Sequence, residues 1–242
     1  MAASLLLMGA LLTGCSAFHD LTSGSSHDDA DGPQQTCIPR GAAPDPSPTP
    51  TPTLDPHVAE EVRSTVAAVR TLPGVDDVSE KAGNTPTRSP DPDRPTCILV
   101  ENHFSSTLSV VMSPDATPSE SGSVPSTMAK HLAWTGVSLT LTVPAGTGHV
   151  ATVIHYNRAF DQTITSEEAT EIAEGLATIA ATPQVMTVEA SIPYTMRVDY
   201  GTLTVTVEPS DEATLASVRD LIGTTVFRDT TLHGSFHNGA KP

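Results

Sequence analysis

Basic residues are scarce in this chain. Lys and Arg number 12 against 28 Asp and Glu, for a net charge of −16 at pH 7. Nucleic-acid phosphates are gripped by clusters of Lys and Arg, so the deficit excludes that class of partner. It also makes an anionic lipid surface repulsive. Aromatics are only 4 % of the residues, with Trp134 the single tryptophan. A carbohydrate or peptide groove floored by aromatic rings is therefore not expected. Only three cysteines occur, and none stands at the tight Cys/His spacings of structural zinc. No apolar run approaches the ~20 residues that span a bilayer. There is no Gly-x-Ser-x-Gly elbow and no phosphate-binding glycine loop.

What is there begins with an apolar stretch over residues 2–12, interrupted by Ser4 and Gly9, that runs into Leu12-Thr13-Gly14-Cys15. Its length suits the apolar core of a signal peptide. The motif resembles the lipobox of bacterial lipoproteins, and the composition is in keeping with an actinobacterial one. The resemblance implies cleavage before Cys15, acylation of that cysteine (palmitate among the acyl groups), and an extracytoplasmic protein lipid-anchored to the cell membrane. Two or three acyl chains anchor firmly where one does not. No Lys or Arg precedes the apolar run, and Arg40 is the first basic residue. The expected start therefore lies upstream of Met1, or the basic leader has been trimmed.

With residues 1–14 read as signal peptide and Cys15 acylated, Cys37 and Cys97 remain as an even pair. Each sits in a Thr-Cys-Ile triplet. Outside the cytoplasm such a pair tends to oxidise. A bridge closing about 60 residues contributes roughly 4 kcal/mol in the chain-entropy model. Residues 15–55 show no hydrophobic periodicity and carry Pro44, Pro46, Pro48, Pro50 and Pro52 at alternate positions. The segment reads as an acylated, disordered Pro/Thr-rich stalk. A second Pro-rich patch, 85–95, reads as a long surface loop.

The folded part reads as two repeats, 56–157 and 158–236, followed by a tail, 237–242. In the first, Val58, Val62, Val66, Val69 and Leu72 fall on one helical face, with Asp55 as N-cap and Pro56 at the first turn. In the second, Thr165-Ser166-Glu167-Glu168 is a capping-box pattern ahead of Ala169, Ile172, Ala173, Leu176, Ile179 and Ala180. Leu72-Pro73-Gly74-Val75 corresponds to Thr182-Pro183-Gln184-Val185. Residues 107–114 correspond to 202–209 position for position. In the second repeat, 196–198 and 202–209 read as the paired strands and 225–227 as the closing strand. Each repeat thus reads helix, strand, strand, helix, strand, with an extra hairpin turning at 144–148. Strand alternation leaves one face buried and one wet. The expected fold class is α+β: a mostly antiparallel sheet with helices on one face, ferredoxin-like and internally duplicated.

Catalytic chemistry is thin. Ser126-Thr127-Met128-Ala129-Lys130 resembles the Ser-x-x-Lys of penicillin-recognising enzymes, but one residue too many turns Lys130 ~100° away on a helix. His149 and His155 share a strand face at a separation of ~20 Å, too far to hold one metal. His19 and His27 with Asp20, Asp28 and Asp29 read as solvated linker, and His233 and His237 as tail. Asp76, Asp77, Glu167, Glu168, Asp199 and Glu208 read as solvated positions. The sequence therefore points to a non-catalytic module with no catalytic residues, metal or cofactor. The module is tethered to the membrane through Cys15 and binds or supports another envelope component. Tyr200, Thr202, Thr204 and Thr206 are the expected contact surface. The alternative is a small-ligand or metal-binding lipoprotein associated with a transporter. It requires an apolar cavity with a few convergent polar groups, and the expected place is between the repeats near Trp134.

Overall fold

The computed structural model describes residues 38–39, 53–94, 97–133, 135–157, 160, 164–193 and 197–232. The expected lipobox, Cys15, Cys37, Trp134 and the histidines of both termini lie outside them.

Four helices are set by local chemistry. In α1 (Pro56–Val69) the Asp55 carboxylate accepts from the His57 N–H at 2.9 Å. Helix α2 (Pro118–Leu132) opens on a capping box in which Thr117 and Glu120 satisfy each other's backbone N–H groups. Thr165 and Glu168 do the same for α3 (Ser166–Ala180), as the sequence predicts. Asp211 caps α4 (Glu212–Ile222).

The strands form one eight-stranded sheet. Six are long: β2 (Val75–Pro90), β3 (Cys97–Met112), β4 (Ser138–Val143), β5 (Thr152–Tyr156), β6 (Val185–Ile192) and β7 (Thr202–Val207). Two are two-residue pieces, β1 (Ile38–Pro39) and β8 (Thr231–Leu232). The spatial order runs β3, β4, β5, β6, β7, β8, with β2 and β1 both on β3. The sheet is mixed rather than mostly antiparallel. The pairs β3–β4, β5–β6 and β7–β8 are parallel because each is joined through a helix, α2, α3 and α4 respectively. The sequence marks α3 only as the start of a second repeat. In the structure its crossover lays the two halves side by side in one sheet.

Cross-strand register makes the two faces explicit. Val110, Leu141, Ile154, Ala190 and Leu203 lie in one row across β3 to β7, all buried. One residue along, Ser109, Thr140, His155, Ser191 and Thr202 form a partly exposed row on the opposite face. The buried rows and the buried faces of all four helices belong to a single core. At ~25 cal/mol per Å² of apolar surface removed from water, that shared core is the main stabilising term.

Four local expectations are corrected. The Pro-rich stretch 85–95 is not a loop throughout, since β2 continues to Pro90 against Ile98 of β3. Proline is tolerated there because β2 is an edge strand, where a missing N–H breaks no second ladder. The expected structureless stalk contains β1, which pairs with β3; two residues carry no periodicity to read. The first strand of the second half is β6, whereas residues 198–200 form a short 3-10 turn. The closing strand is β8 rather than 225–227, where a run of turns instead buries Phe227.

Candidate functional site

The helix side of the sheet contains a pocket of about 280 Å³. Its floor is Leu141 and Val143 of β4 with Thr152, Ile154 and Tyr156 of β5. Helix α3 forms one wall and presents Ala169, Ala173, Ala177 and Ala180 along it. Ile172 and Leu176 of the same helix line it as well. The opposite wall is Pro114, Ala116, Pro118 and Ser121, and the β4–β5 hairpin closes one end with Gly148 and His149. Both halves of the chain contribute to the pocket. Trp134, the residue beside which the sequence places a cavity, lies outside the described residues.

His149 ties two walls together. Its Nε2 stands 2.9 Å from the Pro114 carbonyl oxygen and its Nδ1 3.0 Å from that of Val150. Carbonyls only accept, so whichever nitrogen carries hydrogen donates. Gly146 admits the ring, since a Cβ there would lie 2.5 Å from Nε2. His149 therefore sits in the hairpin before β5 and does not share a strand face with His155.

The buried hydroxyls set the pocket apart from the rest of the core. Thr65, Ser126 and Thr230 each donate to a backbone carbonyl, and Ser106 donates to Glu80. Asp91, 5 % exposed, accepts from the Asp93 and Arg94 N–H groups and from the Arg94 guanidinium. Burial alone would raise its carboxyl, but those bonds and the Arg94 charge outweigh it and hold the group below the usual range. Ser121 (4 % exposed), Thr152 (7 %) and Tyr156 (1 %) are the exceptions. None of their hydroxyls bonds to a described residue, and all three side chains line the pocket. Burial pushes the Tyr156 phenol far above its usual range, so it remains a donor. No Asp, Glu, Lys or Arg is among the described lining residues.

The residues of the expected contact surface lie together at one side of the sheet. Tyr200 is 63 % exposed, with the Arg197 guanidinium 4.6 Å from its ring centre. Thr202, Thr204 and Thr206 are half-buried on the helix-free face, and the Thr187 hydroxyl donates to Thr206 at 2.8 Å. Further along that face, Thr140 Oγ1 lies 3.1 Å from His155 Nδ1, and His155 Nε2 lies 3.2 Å from Glu189 Oε1. Hydroxyl, imidazole and carboxylate thus stand in sequence across three strands. Acyl transfer also requires free N–H donors beside the hydroxyl. Thr140 lies mid-strand between β3 and β5, where the backbone groups serve the sheet ladder. The trio acts as cross-strand pairing on a wet surface.

Ser126 and Lys130 do not meet. The serine is buried and bonded to Ser123, while the lysine is exposed. Asp76, Asp77, Glu167, Glu168, Asp199 and Glu208 are all exposed. Among the described residues no three His, Cys, Asp or Glu side chains converge as metal ligands, and no helix is long and apolar enough to cross a membrane. Cys97, at the start of β3, is disulfide-bonded. The chain matches no family model, no curated protein and no solved structure.

The pocket escapes sequence reading because periodicity marks the inward face of α3 without revealing how much space it leaves above the sheet.

Proposed function

We propose that this chain is a lipid-anchored extracytoplasmic module that holds a small molecule in the pocket between its two halves. The pocket itself carries the reading. Its volume is near the lower end of the ~300–1,000 Å³ of ligand sites, and it is apolar with a few polar groups converging on it. The anchor is Cys15, on the strength of the lipobox, and Cys37 is the proposed partner of Cys97. Ile38, the next residue in the chain, pairs with Ile98.

Internal duplication is part of the same proposal. Both halves run helix, strand, strand, helix, strand, with the first two strands antiparallel and the last two parallel. A register shift falls at Val75/Asp77 in one half and at Val185/Thr187 in the other. Ser113 N–H donates to Gly74 O as Glu208 N–H donates to Gln184 O. Chance does not readily place the same bulge and the same turn bond in both copies. A ferredoxin-like ancestor for each half is the simplest account.

A second reading rests on the helix-free face. Its polar rows and the exposed Tyr200 suit docking of another envelope protein through Tyr200, Thr202, Thr204 and Thr206.

Two measurements test these readings. The intact mass of protein extracted from its native membrane should equal acylated 15–242 less two protons, and Cys15→Ala should abolish the acyl mass. An unacylated chain retaining Met1 would end the anchor proposal. The neutral fluorophore N-phenyl-1-naphthylamine should bind the Cys15→Ala chain with enhanced emission, and Ala173→Leu should weaken that binding. Absence of binding would end the ligand proposal and leave the docking reading.

A further inference from the structure

Resting on the ligand reading above, we infer that the pocket takes a neutral aliphatic molecule of about ten carbons bearing an uncharged oxygen group, such as an alcohol, ester or ketone. The lack of charge among the described lining residues carries the first part. An ionised carboxylate or ammonium in that space would lose its hydration and gain no counter-charge, at a cost that outweighs the apolar contact it makes. The lining's polar groups are hydroxyls and the His149 ring, and that ring already faces two carbonyls. Molecules that must bring an ionised head inside the pocket are therefore disfavoured.

The three unpartnered hydroxyls carry the second part. Every other buried Ser, Thr or Asp side chain among the described residues is hydrogen-bonded within the protein. The three that are not come from α2 and β5, and all of them line this pocket. A hydroxyl that opens onto the pocket without a protein partner bonds whatever enters it. A ligand oxygen satisfies it by accepting from the hydroxyl, and a ligand O–H satisfies it by donating to one. A purely hydrocarbon ligand would leave all three unmet.

Shape carries the third part. Thr152 and Tyr156 are four residues apart on β5 and mark a length of roughly 13 Å along the floor. At the ~30 Å³ that a water-sized group takes up, 280 Å³ holds about nine such groups. A single medium-length chain fits both dimensions, whereas a two-chain lipid fits neither.

The test displaces N-phenyl-1-naphthylamine from the full chain carrying Cys15→Ala, which keeps the protein's own acyl groups out of the assay. Decan-1-ol, decanoate and decylammonium present the same chain with three different heads at pH 7. Decanol should compete, and the two ions should be weaker by about tenfold or more. Joint replacement Thr152→Val and Tyr156→Phe should weaken decanol about five-fold more than it weakens the fluorophore. Decanoate or decylammonium competing as well as decanol would overturn the ligand class while the site itself stood. Decanol affinity unmoved by the double substitution would overturn the role of the hydroxyls. If the fluorophore does not bind, or binds equally to Ala173→Leu, the ligand reading itself falls.

Discussion

At Tyr156 the chain turns a hydroxyl with no partner among the described residues toward the pocket. The ring packs beside Phe160, with centroids 5.9 Å apart, and the phenolic oxygen bonds to no described residue. Tyr156→Phe keeps the ring and removes the unpaired group. The empty protein should stay within about 1 kcal/mol of the parent, measured by urea denaturation. A clear loss of stability would mean that the hydroxyl has a partner. Ala173→Leu adds apolar volume to space that is already open and should raise the melting temperature, whereas the same change in a packed core overpacks it. In the sequence Tyr156 is legible only as an inward-pointing strand residue. Its lack of a partner depends on what α2 and α3 place above it, which no local pattern encodes.

Between elements, α2 packs closely on α3. A Cβ added at Gly122 would lie 2.7 Å from the Thr170 backbone nitrogen. Backbone cannot yield as a side-chain tip does, so Gly122→Ala should destabilise by about 1–3 kcal/mol, read from the urea midpoint. The helix starts respond to acid. Thr117 hydrogen bonds hold the Glu120 carboxyl below its usual range, and Thr214 does the same for Asp211. A carboxyl depressed in the folded state stabilises above its unfolded value, and that contribution disappears as pH falls through the folded value. Thermal stability should therefore decline on acidification below about pH 5, and Glu120→Gln with Asp211→Asn should flatten that decline. The helices are readable because caps and 3.6-residue periodicity are local. Strand β2 is hidden because proline is a loop signal until one knows that the strand lies at an edge.

Over the whole molecule, the parallel pair β5–β6 joins the two halves into one sheet above one core. Heat should therefore unfold the described region in a single calorimetric transition, with equal van't Hoff and calorimetric enthalpies. Two separated transitions would show that the halves fold independently. Sequence periodicity suggests two copies but cannot say how they meet, because the pairing of β5 with β6 joins residues more than thirty positions apart. The pocket shares that origin, since it lies where β4 and β5 of one half face α3 of the other.

Strand β1 has a mechanical consequence. Ile38 and Pro39 clasp β3 near Cys97, at the far end of the β2–β3 ribbon. A pull on the chain ahead of residue 38 therefore loads that clasp and the disulfide cysteine beside it. The load passes along a two-stranded ribbon before it reaches α1. The helices that enclose the pocket lie at the other end of that ribbon.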